Sequence, residues 1–208
     1  MSRMQRIRKK IRTRFWDLED ALYEKYFRLQ FGPSLSRNEI ATDCADSLLH
    51  ANGYQAVRYR KMKILLREAR KTGIHFVNFI DIGAGTGKAC CVASGEAQFE
   101  KIIGIDFSRP LLEVAERNRL SLGDPRVQFY YMDALSFTFP AQNNLIFMFN
   151  PFDGVLLERV INNNKEHFRR HESVIAYAND TSGGLLVASG FQATYVDQQL
   201  RLALYRFL

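Results

Sequence analysis

Apolar residues recur at three- or four-residue intervals near the start of the chain. Ile7, Ile11, Phe15, Leu18, Leu22, Tyr26 and Leu29 form one stripe, the mark of an amphipathic helix. Phe31-Gly32-Pro33-Ser34 stops that helix, Ser36 to Ala51 reads as a short one ended by Asn52-Gly53, and Tyr54 to Lys71 reads as the helix before the first strand. Beyond it the periodicity changes. Short apolar runs at residues 79–82, 101–106, 127–132, 144–149 and 173–178 read as strands, with helical stretches between them. Arg109 to Leu120 has Ser108 as its N-cap candidate and Pro110 in its first turn, and Gly154 to Phe168 is a further helix. Leu185 to Ser189 is a short helix, and Phe191 to Val196 with Leu200 to Phe207 makes a terminal hairpin. Strands alternating with helices predict a parallel sheet, and no repeats or low-complexity tracts interrupt the order.

The first strand runs straight into Gly83-Ala84-Gly85-Thr86-Gly87, and the second ends on Asp106. A strand that ends in glycines lets backbone approach a ligand closely, and the helix after it aims free N–H groups at what binds there. An acid at the tip of the neighbouring strand accepts the hydroxyls of a ribose. The dinucleotide fingerprint spaces its glycines differently, and the place of its third glycine is Lys88 here, so a pyrophosphate reader is the weaker fit. Gly83, Asp106, Asp133 and Asn150 all fall at strand carboxyl ends, where ligands collect in open parallel sheets.

The segment from Phe79 to Gly87 resembles motif I of the class I S-adenosylmethionine-dependent methyltransferases. The resemblance implies an α/β, Rossmann-like class I methyltransferase fold: a mostly parallel seven-stranded sheet with helices on both faces and an antiparallel terminal hairpin, the last strand inserting between its neighbours. It implies S-adenosyl-L-methionine as cofactor, with Gly83, Ala84, Gly85 and Gly87 wrapping its amino-acid end and Asp106 holding the ribose. Asp81 either braces the glycine turn or touches the cofactor amine. Asp133 and Ala134 stand where the family reads the adenine edge, though Asp133 equally suits capping of the next turn. Phe107 stands where an apolar residue covers adenine, against ordinary core packing.

Asn150-Pro151-Phe152, at the end of the fourth strand, carries the hint about chemistry. It resembles the Asn/Asp-Pro-Pro-Tyr/Phe motif of amino-group methyltransferases, in which the Asn oxygen and a proline carbonyl accept from the target amine, and Asn150 would also adjoin the cofactor. The second proline is missing, and a loop that merely stops a strand is the competing reading. Methyl transfer is an in-line displacement that needs alignment and exclusion of water more than an acid, a base or a metal, which agrees with the lack of a Ser-His-Asp or metal constellation. The Phe-Gly tract and Tyr54-Gln55 resemble small bacterial methyltransferases that close the pocket with N-terminal residues, with Tyr54, Gln55 or Tyr59 as the cap and plain packing as the alternative.

Charge sharpens one point. Of 29 basic residues against 22 acidic, seven basic and no acidic ones lie in the first 14 positions, so the whole net charge of +7 resides there. The basic amphipathic helix suits packing on the domain or on another subunit, an anionic membrane surface, or a nucleic-acid backbone. Acids from Asp17 to Glu24 argue against a transit peptide. No apolar stretch reaches the roughly 18 residues of a membrane span, and Cys44, Cys90 and Cys91 read as core residues of a reducing compartment, so a cytoplasmic location is expected. His167 and His171 have metal-ligand spacing without an accompanying acid or cysteine, so surface histidines and no metal are expected.

The expected organisation is residues 1–53 as the helical extension and 54–208 as the cofactor-binding domain. The expected function is methyl transfer to an unidentified acceptor, with an amine near Asn150, Pro151 and Phe152 as one option. The alternative is a scaffold that keeps the cofactor fold without turnover and docks through its basic helix; a nicotinamide-dependent dehydrogenase is disfavoured by Lys88.

Overall fold

The computed structural model describes residues 3–208; Met1 and Ser2, and the side chains of Arg3, Gln5, Arg8 and Lys9, lie outside the described residues, and with them part of the basic segment. Helix α1 (Arg3–Phe27) precedes a 3-10 turn (Arg37–Glu39), α2 (Ala45–His50) and α3 (Tyr59–Arg70). Then follow β1 (Asn78–Ile82), α4 (Lys88–Ala93), β2 (Lys101–Asp106), α5 (Arg109–Leu122), β3 (Val127–Tyr131) and β4 (Asn144–Phe149). The chain closes with α6 (Gly154–Asn163), α7 (Lys165–Arg170), β5 (Val174–Ala178), α8 (Gly183–Ala188), β6 (Phe191–Asp197) and β7 (Leu202–Phe207).

The sheet order is β3-β2-β1-β4-β5-β7-β6. β1 pairs in parallel with β2 and β4, and β7 runs antiparallel between β5 and β6, as the resemblance implied. β1, between β2 and β4, is the switch point at which strand order reverses, so the ends of β1, β2 and β4 frame one crevice.

Continuous apolar runs are what a sheet covered on both faces demands, and their alternate residues feed two cores. Phe79, Ile102, Leu145, Phe147 and Val174 pack with Met62, Leu65 and Leu66 of α3 and Cys90 of α4. Ile80, Ile105, Ile146, Met148 and Tyr177 pack on the other face with Leu156, Leu157 and Val160 of α6 and Phe168 of α7.

Three sequence expectations change. The helix expected over Tyr54 to Lys71 starts only at Tyr59, because residues before it are drawn out over the crevice. The one expected over Gly154 to Phe168 breaks at Asn164, whose side chain bonds the Phe137 and Val160 carbonyls and the Phe139 N–H. The helix expected over Ser36 to Ala51 reduces to the 3-10 turn and α2. His167 is a correction too: it is buried, with Nε2 2.7 Å from Ser173 Oγ and 3.2 Å from Asn144 Nδ2. Burial pushes its pKa down to about 4.

Helix α1 docks with its polar face. Asp17 meets Arg58 at 2.6 Å, Glu19 pairs with Arg60, and Asp20 and Glu24 hold Lys88 at 2.7 and 2.9 Å. Tyr23 stacks on Tyr59 and donates to the Cys91 carbonyl at 2.7 Å. From Ile7 to Tyr26 the apolar stripe points outward, so packing on the domain, one of the options its pattern left open, is met only by Leu29 beyond the end of the helix.

Candidate active site

The glycine turn is pinned from below. Gly83 and Ala84 both donate to the Ile105 carbonyl, at 3.0 and 2.9 Å, and Gly87 donates to the Ala84 carbonyl at 2.8 Å. Gly83, Gly85 and Gly87 have φ of 78°, 54° and 83°, a region costly for any residue with a Cβ. Space is also short: a Cβ at Gly83 would run into Pro151, at Gly85 into the Tyr54 ring, and at Gly87 into Phe129 and Ala115.

Asp106 organises the crevice. Its Oδ2 accepts from Gly85 N–H at 2.7 Å and its Oδ1 from Ser108 N–H at 2.8 Å, so the carboxylate ties the glycine turn to the start of α5. Each carboxylate oxygen keeps a lone pair for a further donor such as a ribose hydroxyl. Burial raises its pKa to about 6 despite those bonds. Asp81, deeper in β1, is raised by burial and by the nearby Asp106 to about 8, and Cys90 Sγ lies 3.9 Å from it.

Two cavities meet here. One, of about 670 Å³ with its mouth included, is lined by Gly83, Asp106, Phe107, Asp133, Ala134, Pro151 and Phe152, among others. The second, of about 270 Å³, has Asp81, Ala84, Lys88 and Phe147 in its wall, and Tyr54, Gln55, Gly83 and Phe149 belong to both. Among the sequence-selected residues, Gly85, Gly87 and Asn150 do not line either cavity: the first two shape the turn and its packing on Tyr54 and Phe129.

Asn150 has φ of 45°, and its Oδ1 accepts from Thr181 Oγ1 at 2.7 Å and Tyr177 OH at 3.3 Å. The Pro151 carbonyl accepts from Asn52 N–H at 2.9 Å. Both oxygens that an amine would use are therefore already bonded within the chain. Asp133 is similarly engaged, accepting from Leu135 N–H at 2.9 Å and Ser47 Oγ at 2.5 Å, so it caps the turn and anchors α2 while facing the cleft.

The roof comes from the N-terminal segment. Tyr54 donates to the Phe31 carbonyl at 2.8 Å and shares a 2.5 Å bond with Thr86 Oγ1, and Thr42 donates to the Phe107 carbonyl at 2.5 Å. Ala51 pairs with Phe152, and Asp153 N–H donates to the His50 carbonyl. Tyr59 belongs to the contact with α1 and not to the roof. Ile40, Thr42, Ser47 and Asn52 were not identified from the sequence, because single residues in an irregular segment carry no periodic signal for a partner far along the chain.

The family described as "Methyltransferase domain" matches residues 76–200, more than half of the chain. The chain belongs to that methyltransferase-domain family. The cofactor of this methyltransferase domain is S-adenosylmethionine. The crevice fits it: two joined cavities, glycines where a Cβ would collide, and a buried carboxylate in the wall of each cavity. Among solved structures, the fold is similar to the putative methyltransferase yhhF from Escherichia coli (20% identity, TM-score 0.54, covering 72% of this chain and 87% of that one). It is also similar to the ribosomal protein L11 methylase from Lactobacillus delbrueckii subsp. bulgaricus (14%, 0.53, 74% and 90%) and to TrmN from Thermus thermophilus (15%, 0.52, 76% and 56%). The methyltransferase domain spans only 59% of a Clostridium acetobutylicum methyltransferase and 66% of Streptococcus pneumoniae Sp1610. Among curated proteins none matches significantly. Among the described residues no helix is long and apolar enough to cross a membrane, and no group of three metal-ligating side chains occurs.

Proposed function

We propose that this chain transfers a methyl group from S-adenosylmethionine to an acceptor presented at the end of β4, beside Pro151 and Phe152. The observation that carries the reading is the convergence of Asp81, Gly83 and Asp106 on one roofed crevice. When bound, the cofactor supplies an electrophilic methyl on a sulfonium. The chain's part is positional: Gly83 admits the ligand, Asp106 and Asp81 meet its polar ends, and the Tyr54 roof keeps water out.

An amine acceptor needs the Asn150 side-chain oxygen, which already accepts from both Thr181 and Tyr177, and the Pro151 carbonyl, which keeps a lone pair beside its bond from Asn52, so amine methylation requires Thr181 or Tyr177 to turn away from Asn150. That same occupancy favours the second reading, a scaffold that binds the cofactor without turnover. The three cysteines have no disulfide, in keeping with a cytoplasmic setting.

The test is calorimetric titration with S-adenosylhomocysteine and with NAD, followed by transfer of label from methyl-labelled S-adenosylmethionine into acceptor extracts. Saturable S-adenosylhomocysteine binding with labelled product supports the enzyme; binding without product supports the scaffold; binding of NAD alone overturns both.

A further inference from the structure

The outward stripe of α1 is a surface that the crevice and its chemistry leave unexplained. Ile11 is 64% exposed, Leu18 56%, Leu22 58% and Tyr26 81%, and Met4, Ile7 and Phe15 are exposed in line with them. Seven apolar side chains along one face of a 25-residue helix are far more than scattered surface hydrophobics require. At about 3.6 residues per turn, Lys10 and Arg14 flank the stripe on one side and Arg12 flanks it on the other. Among the described residues Arg6, Lys10 and Arg14 make no ion pair, while the acids of the same helix are turned inward onto Arg58, Arg60 and Lys88. The helix thus sorts its charges, with anions spent on the domain and cations left beside the apolar face.

We propose that α1 docks this protein on an anionic lipid surface, lying in the plane of the interface with Ile7, Ile11, Phe15, Leu18 and Leu22 in the acyl boundary and its basic flanks among the headgroups. The chemistry selects this occupant over two others. A nucleic-acid backbone would take the cations but leave the apolar stripe in water. A second copy laid stripe to stripe in parallel would bring two cationic segments together; laid antiparallel it would seek acids that already face inward. An anionic bilayer satisfies both the stripe and its flanks, and helices of this kind bind in proportion to apolar area plus charge attraction. Docking would also touch the crevice, because Lys88, which begins α4 directly after the glycine turn, is held by Asp20 and Glu24 of the same helix.

The experiment is flotation of the full chain with vesicles of phosphatidylcholine alone and of phosphatidylcholine mixed with phosphatidylglycerol. We expect retention on the mixed vesicles and little on the neutral ones, weakening as salt rises because the screening length shrinks from about 10 Å at 0.1 M to about 3 Å at 1 M. Ile11→Glu with Leu18→Glu should abolish retention, and Lys10→Glu with Arg14→Glu should lower it by about tenfold or more. Unchanged thermal midpoints by circular dichroism certify folded variants; should the glutamates unwind α1, Leu18→Gln with Leu22→Gln reads the same loss. Equal retention on neutral vesicles, full retention of the stripe variants, tighter binding to duplex DNA or RNA at the same salt, or a dimer in solution that Leu18→Gln with Leu22→Gln dissociates would each overturn the proposal.

Discussion

The ring of Tyr54 occupies the space that a Cβ on Gly85 would need, and its hydroxyl is fastened to the Phe31 carbonyl and to Thr86. One aromatic side chain therefore locks the N-terminal roof onto the glycine turn. Burial raises its pKa to about 12, so the phenol stays protonated and able to donate at neutral pH.

Gly85→Ala combines a φ of 54° with a collision against that ring. We expect a loss of stability of about 1 to 3 kcal/mol, and weaker S-adenosylhomocysteine binding. Tyr54→Ala carries a loss of its own, since two hydrogen bonds go with the ring, but in that background Gly85→Ala should cost less than it does alone, the backbone cost remaining. Denaturant titration of both single variants and the double checks this; a Gly85→Ala cost that vanishes in the Tyr54→Ala background would assign the whole effect to the collision.

Asp106→Ala removes the acceptor of two backbone N–H groups and a carboxylate that faces the crevice. Bonds to a charged group are worth roughly 1.5 to 3 kcal/mol, so S-adenosylhomocysteine affinity should fall about tenfold or more. Calorimetry with wild-type affinity in the variant would remove Asp106 from the cofactor site.

Asp81 has a pKa raised to about 8, by burial first and by Asp106 second, and so holds a proton at neutral pH. A ligand ammonium beside it favours the ionised form, and binding then expels that proton. Affinity should rise as pH climbs toward about 8 and level off above it, as long as the ligand amine stays protonated. Binding enthalpies measured in buffers of different ionisation heat count the proton; Asp81→Asn should release none.

The pKa of His167 is shifted the other way, downward. Its folded pKa of about 4 lies below the ordinary value of about 6.5, so the unfolded chain takes up a proton that the folded one refuses. Stability is lost as pH falls below about 6.5 and the loss is complete below about 4, amounting to a few kcal/mol at most. The difference between wild type and His167→Gln across that range isolates it; parallel curves would show that the imidazole is not the acid-sensitive group.

Local pattern was enough to read much of this molecule. Four strands, β1, β2, β4 and β5, announced themselves as apolar runs, and a run of that kind can be satisfied only between two layers of helix. The glycine turn and Asp106 were legible because strand, turn and acid are close in sequence and each demands a particular residue type. The break at Asn164 and the burial of His167 were not, since both depend on carbonyls and hydroxyls brought from other elements.

The N-terminal segment marks the boundary most clearly. By itself the sequence determined that α1 is amphipathic and that its first half is cationic, because periodicity and charge are properties of single residues along a helix. Only the tertiary structure decided which face meets the domain. Asp17, Glu19, Asp20 and Glu24 find cations on α3 and α4, Tyr23 finds Tyr59, and the apolar stripe is turned to the outside. Likewise nothing local marks Asn52 as the donor that occupies the Pro151 carbonyl, or Ser47 as the partner of Asp133. Those bonds join residues far apart in the chain and come into being only once the sheet has set the ends of β3 and β4 beneath them.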